Sequence, residues 1–410
     1  MAGGAVDPDR WVVDSPALGS GLQPSRFRGD KPPRKPPRSA APVALTISGG
    51  GFRATLAGLG AIRLLADAGM LPDLRYVSSV SGGSLANGLL ASRWPVLREA
   101  GFTGAAVQEH LIDPFIQRIS SESLKWSLVR GIWRTIGPST RTDLLARRFD
   151  EWWFDGVELA QLDRGVRWIV NAANLTTGVR FGFERDMVGD YTIGHVPTAG
   201  TGLRLSTAVA ASAAVPGAFA PVVLTSPEFP GAEQTPVLMD GGTYDNTGLQ
   251  ALDDKAYRDV FLVALNAGGL LRPGPYGRVP VIRDLARANS LLYRQSVALR
   301  TTSLVAQFQR GRKAGAGPLP ADARRGVLTG LVTALPDPGP APLRAWRAAF
   351  PEARTYDGRD LALVPTVFDK LEPALCRALV HRGWWTVGAA LATFFPRRLG
   401  DFDEWVAPEL

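Results

Sequence analysis

From Pro42 onward, short apolar runs alternate with longer stretches whose apolar residues recur every three or four positions. Val43 to Ile47 is an apolar run of strand type. Phe52 to Ala68 carries Leu59, Ile62, Leu65 and Ala66 on one helical side, with Gly69 where a C-cap belongs. Arg75 to Val80 reads as a second strand and Ser84 to Ser92 as a second helix. Further strand-like runs are Val166 to Ala172, Val179 to Phe183, Pro236 to Met239 and Val260 to Leu265. Strands alternating with helices predict an α/β fold: a mostly parallel central sheet flanked by helices, with its reactive edge at the strand C-termini.

Other stretches break this alternation. Residues 105–163 read as a helical, Trp-rich insertion. Within it Leu124, Trp126, Leu128, Val129, Ile132, Trp133 and Ile136 fill one arc of a helical wheel, with Arg130 and Arg134 opposite and Lys125 as the exception. A membrane-interface helix or lid and an ordinary core helix share that pattern. After Ala267 the pattern is helical again, notably from Val279 to Gln309. A Gly/Pro/Ala loop from Lys313 to Ala321 follows, then two closing helices between Asp360 and Phe395. Before Pro42 there is no periodicity: six cations and four prolines between Arg26 and Arg38 resist both helix formation and burial. The expected organisation is an irregular basic arm (1–41), an α/β core carrying the insertion (42–270) and a helical C-terminal region packed on that core (271–410).

Composition narrows the setting. At 410 residues, 45% hydrophobic and 20% charged, the chain can bury a large core. Lys and Arg number 46 against 38 Asp and Glu, and the net charge of +8 favours anionic partners such as a membrane surface, nucleic acid or acidic small molecules. A single cysteine, Cys376, excludes an internal disulfide and a multi-thiolate metal site, so a cytoplasmic home is the default expectation. His110, His195 and His381 are spaced so that no two share a helical turn, which argues against a histidine-rich metal centre. Met1 to Asp9 lacks the basic-then-apolar order of a secretory leader. Leu205 to Pro227, the longest uncharged window, is too rich in Ala, Ser, Thr, Gly and Pro for a membrane span, and Trp384 to Phe395 is too short.

The candidate chemistry gathers at three turns. Ser48-Gly49-Gly50-Gly51-Phe52-Arg53 follows the first strand and opens the first helix, where consecutive glycines can turn several N–H groups toward an anion. Ser79-Val80-Ser81-Gly82-Gly83 makes a strand-turn-helix around Ser81, the shape that projects a nucleophilic hydroxyl, and the Gly82 N–H lies just after it. Its leading position is Ser79, where the usual elbow has glycine. Leu238-Met239-Asp240-Gly241-Gly242 places an acid at a strand end. In company with the other two turns, Asp240 is a candidate general base. Its ordinary pKa near 3.9 suits that task poorly, so it would act through hydrogen-bonded positioning in a dry site. A dinucleotide site is the rival for Gly49-x-Gly51-x-x-Ala54. The next strand, however, runs into Ser81 rather than a ribose-binding acid, and no P-loop Gly-Lys-Ser/Thr is present.

In this order the three elements resemble the patatin-like phospholipases and the related cytosolic phospholipase A family. Ala211-Ser212-Ala213-Ala214-Val215-Pro216 is similar to the family's run before the base strand, and the likeness spans roughly residues 42–250. It implies a patatin-like three-layer sandwich and a Ser81/Asp240 dyad without histidine, with Gly49, Gly50 and Gly51, beside Gly82, lining the oxyanion hole. The Ser-Gly-Gly-Gly-aromatic-Arg turn is especially similar to the cytosolic phospholipase A group, whose corresponding arginine meets the lipid phosphate, which implies that role for Arg53. Asn246 is expected to cap the next helix. The implied activity is hydrolysis of a phospholipid or other lipid ester through an acyl-enzyme, peripherally at an anionic membrane surface, with no metal, organic cofactor or nucleic acid. Acyl transfer, triacylglycerol lipase action and a non-catalytic membrane-associated scaffold are the alternatives.

Overall fold

The computed structural model describes residues 42–124, 140–270, 280–315, 317–352 and 356–409. Among these residues ten strands form one sheet: β1 (Val43–Ile47), β2 (Leu74–Val80), β3 (Arg167–Asn174), β4 (Val179–Glu184), β5 (Met187–Asp190), β6 (Gly194–Pro197), β7 (Val222–Val223), β8 (Val237–Asp240), β9 (Phe261–Asn266) and β10 (Gly326–Gly330). Their order is β10-β9-β1-β2-β3-β4-β5-β6. The strands from β10 to β3 run parallel, and β4 to β6 continue as an antiparallel meander. β8 pairs antiparallel with both β3 and β7.

The helices that position the site are α1 (Gly51–Asp67), α2 (Gly82–Glu99), α3 (Leu205–Ser212), α4 (Pro280–Lys313) and α5 (Pro373–Phe394). Successive residues of a pleated strand point to opposite faces, so each parallel strand feeds two cores. Val43, Leu45 and Ile47 of β1 and Phe261, Val263 and Leu265 of β9 join the larger core under α1, α2 and α5. Ala44, Leu262 and Ala264 face a smaller core closed by Leu304 and Phe308 of α4. Helices on both faces make the three layers and explain why β1 and β9 are apolar nearly throughout.

α5 lies along α1 with backbones in contact. A β-carbon on Gly60 would sit 1.9 Å from Val380 O, and one on Gly383 would sit 2.0 Å from Ala57 O, so each helix offers a glycine to the other's carbonyl.

Several expectations shift. α2 begins at Gly82 and runs to Glu99, two residues earlier and seven later than the periodicity suggested, because Pro95 is tolerated inside it. β5, β6, β7 and β10 were not anticipated; they are two to five residues long, and three of them carry glycine. The two closing helices become a single turn at Gly358–Ala362 and the long α5. Trp126 and Trp133 fall among residues 125–139, which lie outside the described residues, as does the arm 1–41; Leu124 itself is buried. Among the described residues no helix is long and apolar enough to cross a membrane.

Candidate active site

One edge of β3 brings the candidate serine and aspartate together. β2 approaches it in parallel and ends with Val80 opposite Asn171. β8 approaches from the other direction and ends with Asp240 opposite Ala172. Ser81 follows directly on β2, so the two side chains meet where the strand ends meet, the Ser81 hydroxyl close enough to the Asp240 carboxylate to hold its pKa down against burial.

The turn into α2 holds Ser81 at φ 53° and ψ −124°, a conformation that residues with a side chain avoid. Its amide donates to Ser212 Oγ at 2.9 Å, and the Ser212 hydroxyl donates to Asn171 O at 2.6 Å. The same segment fixes the aspartate: Asp240 N donates to Ala214 O at 3.0 Å and Gly241 N to Ser212 O at 3.2 Å. Ser212 to Ala214 therefore brackets both groups, work that the sequence run did not disclose. Ser79 is also accommodated. Its hydroxyl accepts from Asn87 Nδ2 at 2.8 Å and reaches Ile169 O at 3.2 Å, inside a buried polar network.

The glycine turn divides its labour. Gly49 N–H is already engaged by Asn246, whose backbone O and Oδ1 each accept from it at 3.0 Å. Gly49 thus shapes the loop instead of offering a donor, and Asn246 holds that loop instead of capping a following helix; both corrections arise from one long-range contact. Gly51 and Gly82 are the first residues of α1 and α2, where N–H groups lack an intrahelical acceptor, and Gly50 is the N-cap before Gly51. The two helix starts touch: a β-carbon on Gly82 would lie 2.0 Å from Gly51 O. Two positive helix termini therefore converge beside Ser81.

A cavity of about 510 Å³ opens over the pair. Ser81, Asp240, Arg53 and Tyr293 give it a polar side, while Val215, Leu270 and Leu363 are among its apolar lining. Burial pushes the Asp240 carboxyl up to about 6, against the nearby Ser81 hydroxyl and the hydrogen bond from the Gly242 amide, which reaches Oδ1 at 2.7 Å. Arg53 is buried. Its Nε donates to Ala267 O at 3.0 Å, Nη1 to Val364 O and Nη2 to Thr366 Oγ1 at 3.1 Å. Burial lowers its pKa to about 10, which leaves it charged at neutral pH. Among the described residues it makes no ion pair. None of the three histidines lines the cavity. His195 lies on β6 at the sheet's far edge, and burial, with Arg382 adding to it, pushes His381 on α5 down to about 4. No group of three or more metal-ligating side chains gathers among the described residues. Sequence reading missed Ser212, Asn246 and Tyr293 as parts of the site.

The family model for patatin-like phospholipases matches residues 45–253, half of the chain. Among solved structures, human GIVD cytosolic phospholipase A2 in complex with methyl gamma-linolenyl fluorophosphonate is 14% identical at a TM-score of 0.47, covering 88% of this chain and 59% of that one. Another structure of the same human protein aligns at 14% identity and a TM-score of 0.41, covering 57% and 47%. VipD from Legionella pneumophila aligns at 13% identity and a TM-score of 0.31, covering 80% and 66%. The chain thus spans between about half and three-fifths of the human protein's length. No curated protein matches it in sequence.

Proposed function

Since the chain belongs to the patatin-like phospholipase family, we propose that it is a serine hydrolase of fatty-acyl lipid esters, phospholipid or lysophospholipid, working through a Ser81/Asp240 dyad. The observation that supports this most is the meeting of a backbone-strained Ser81 and a buried Asp240 in the wall of one cavity.

In this reading Ser81 Oγ attacks the ester carbonyl while its proton passes to Asp240. The carbonyl oxygen becomes an oxyanion and is received by the N–H groups of Gly50, Gly51 and Gly82, each such donor contributing about a hundred- to a thousandfold in rate. Collapse expels the leaving alcohol, which takes the proton back from Asp240. Water then attacks the acyl-enzyme with Asp240 again accepting the proton, and the fatty acid departs from regenerated Ser81. A carboxyl raised to about 6 is a better match to this shuttle than an ordinary aspartate, because a proton acceptor works best with a pKa near the working pH. Arg53 meets the lipid phosphate. The net charge of +8 and the cations between Arg26 and Arg38 draw the enzyme to an anionic membrane surface from the cytoplasm.

An active-site fluorophosphonate tests the reading. The wild type should label and hydrolyse lipid ester; Ser81→Ala should lose both, hydrolysis by on the order of ten-thousandfold. His195→Ala should keep both. An unlabelled, folded wild type, or loss on His195→Ala with survival of Asp240→Asn, overturns it.

A further inference from the structure

Tyr293 reaches the cavity from α4, forty residues beyond the end of the family-matched segment. Its ring lies over Gly242. A β-carbon there would be 2.5 Å from the Tyr293 hydroxyl and 2.9 Å from Asp240 Oδ1, so the phenol and the carboxylate flank the same point and the bare glycine makes room for both. The hydroxyl has no hydrogen-bond partner among the described residues, and the Asp240 carboxylate is served by Ser81 and Gly242 instead. Burial and the neighbouring negative Asp240 push the phenol well above its ordinary value, with Arg53 opposing, so it stays protonated and offers a donor to whatever fills the cavity.

The side of the ester that this donor faces follows from the chemistry. Asp240 returns its proton to the leaving alcohol, so the group beside Asp240 stands on the leaving-group side. Arg53 is on that same polar wall. A guanidinium carries five N–H groups, three hydrogen bonds hold it in place, and no carboxylate neutralises it among the described residues. A neutral O–H donor next to an uncompensated guanidinium suits an oxyanion with several acceptor oxygens.

We propose that Tyr293 is a specificity-determining residue that, together with Arg53, binds a phosphate carried by the leaving group, so that the site selects acyl esters of glycerol phosphates over acyl esters of neutral alcohols. This rests on the hydrolase reading above.

The test uses two dispersed substrates that differ only in the phosphate, octanoyl-glycerol phosphate and octanoyl-glycerol. Wild-type enzyme should prefer the phosphate ester in kcat/KM, and Tyr293→Phe should cut that ratio about tenfold, the cost of one hydrogen bond to a charged group. In a Ser81→Ala background, calorimetric binding of octanoyl-glycerol phosphate should weaken by a similar factor on adding Tyr293→Phe, while octanoyl-glycerol binding changes less. No preference in the wild type, an unchanged ratio, or equal losses on both esters overturns the assignment. If the wild type neither labels with fluorophosphonate nor turns over either ester, the hydrolase reading fails. The binding arm then still decides whether Tyr293 reads a phosphate.

Discussion

Replacing Asp240 by asparagine should stop catalysis and stabilise the fold at neutral pH. Folding raises this carboxyl from an ordinary value of about 3.9 to about 6 because burial strips water from its charged form. In the pH range between those values the folded state binds a proton that the unfolded state has released. The stabilising contribution of Asp240 is therefore complete below about pH 4 and is lost as pH rises through 6. Two units at about 1.4 kcal/mol each amount to roughly 3 kcal/mol at pH 7. The substituted amide carries no charge to desolvate and keeps an acceptor for the Gly242 N–H. The stability difference between Asp240→Asn and wild type should then grow by roughly 2 kcal/mol between pH 4 and pH 7, and for a chain of this length that moves the midpoint by about 2–3 °C. Paired thermal and urea unfolding at each pH would measure it, other titrating groups cancelling in the difference. A difference that stays flat with pH, or a variant less stable at pH 7 than at pH 4 relative to wild type, refutes the desolvated-carboxylate argument. The acid limb of wild-type kcat/KM should fall near pH 6 for the same reason.

Ser81→Gly should gain about 1 kcal/mol of stability by relieving the positive φ, a gain that Ser81→Ala lacks although both lose activity; denaturant midpoints distinguish them. Gly82→Ala should cost about 1–3 kcal/mol and most of the turnover, because its β-carbon meets the Gly51 carbonyl and must push the two helix starts apart; melting and esterase assays read both effects. Asn246→Ala should lower kcat about tenfold or more with little change in KM for a small ester, since it releases Gly49 and loosens the donors that follow; an unchanged kcat would refute its role in holding the loop.

How far the sequence was legible depended on the range of the interaction. The strand-turn-helix units at Ser48 and Ser81 announced themselves through local periodicity and glycine, and the observed β1, β2, β8 and β9 begin and end within a residue of the apolar runs. β10 escaped because Gly326 and Gly330 bound only three residues between a loop and a turn, and its place beside β9 comes from pairing across the sheet. Asn246 was misread because Asx side chains usually serve a neighbouring helix, whereas this one reaches back 197 positions to Gly49. Ser212 and Tyr293 carried no local signal of their role. The first acts across 131 positions on the Ser81 amide, and the second sits in a helix whose pattern reports only that it covers the sheet.

On the proposed reading, the grip on the glycine turn also sets when the site can first form. Arg53 is held by Val364 O, 311 positions later in the chain, Phe52 N donates to Val367 O at 3.1 Å, and α5 supplies the backbone that lies against α1. Synthesis proceeds at about 5–20 residues per second, so β1, β2 and the turn at Ser81 emerge well before these fastenings exist. A chain stopped after residue 360 should remain unreactive toward fluorophosphonate even when soluble, and labelling of such a fragment would show that the turn closes without them. With the fastenings required, a ribosome-bound chain has no working site near the membranes of the cell making it. On the proposed reading, the ability to attack lipid comes late, once α5 has docked on α1.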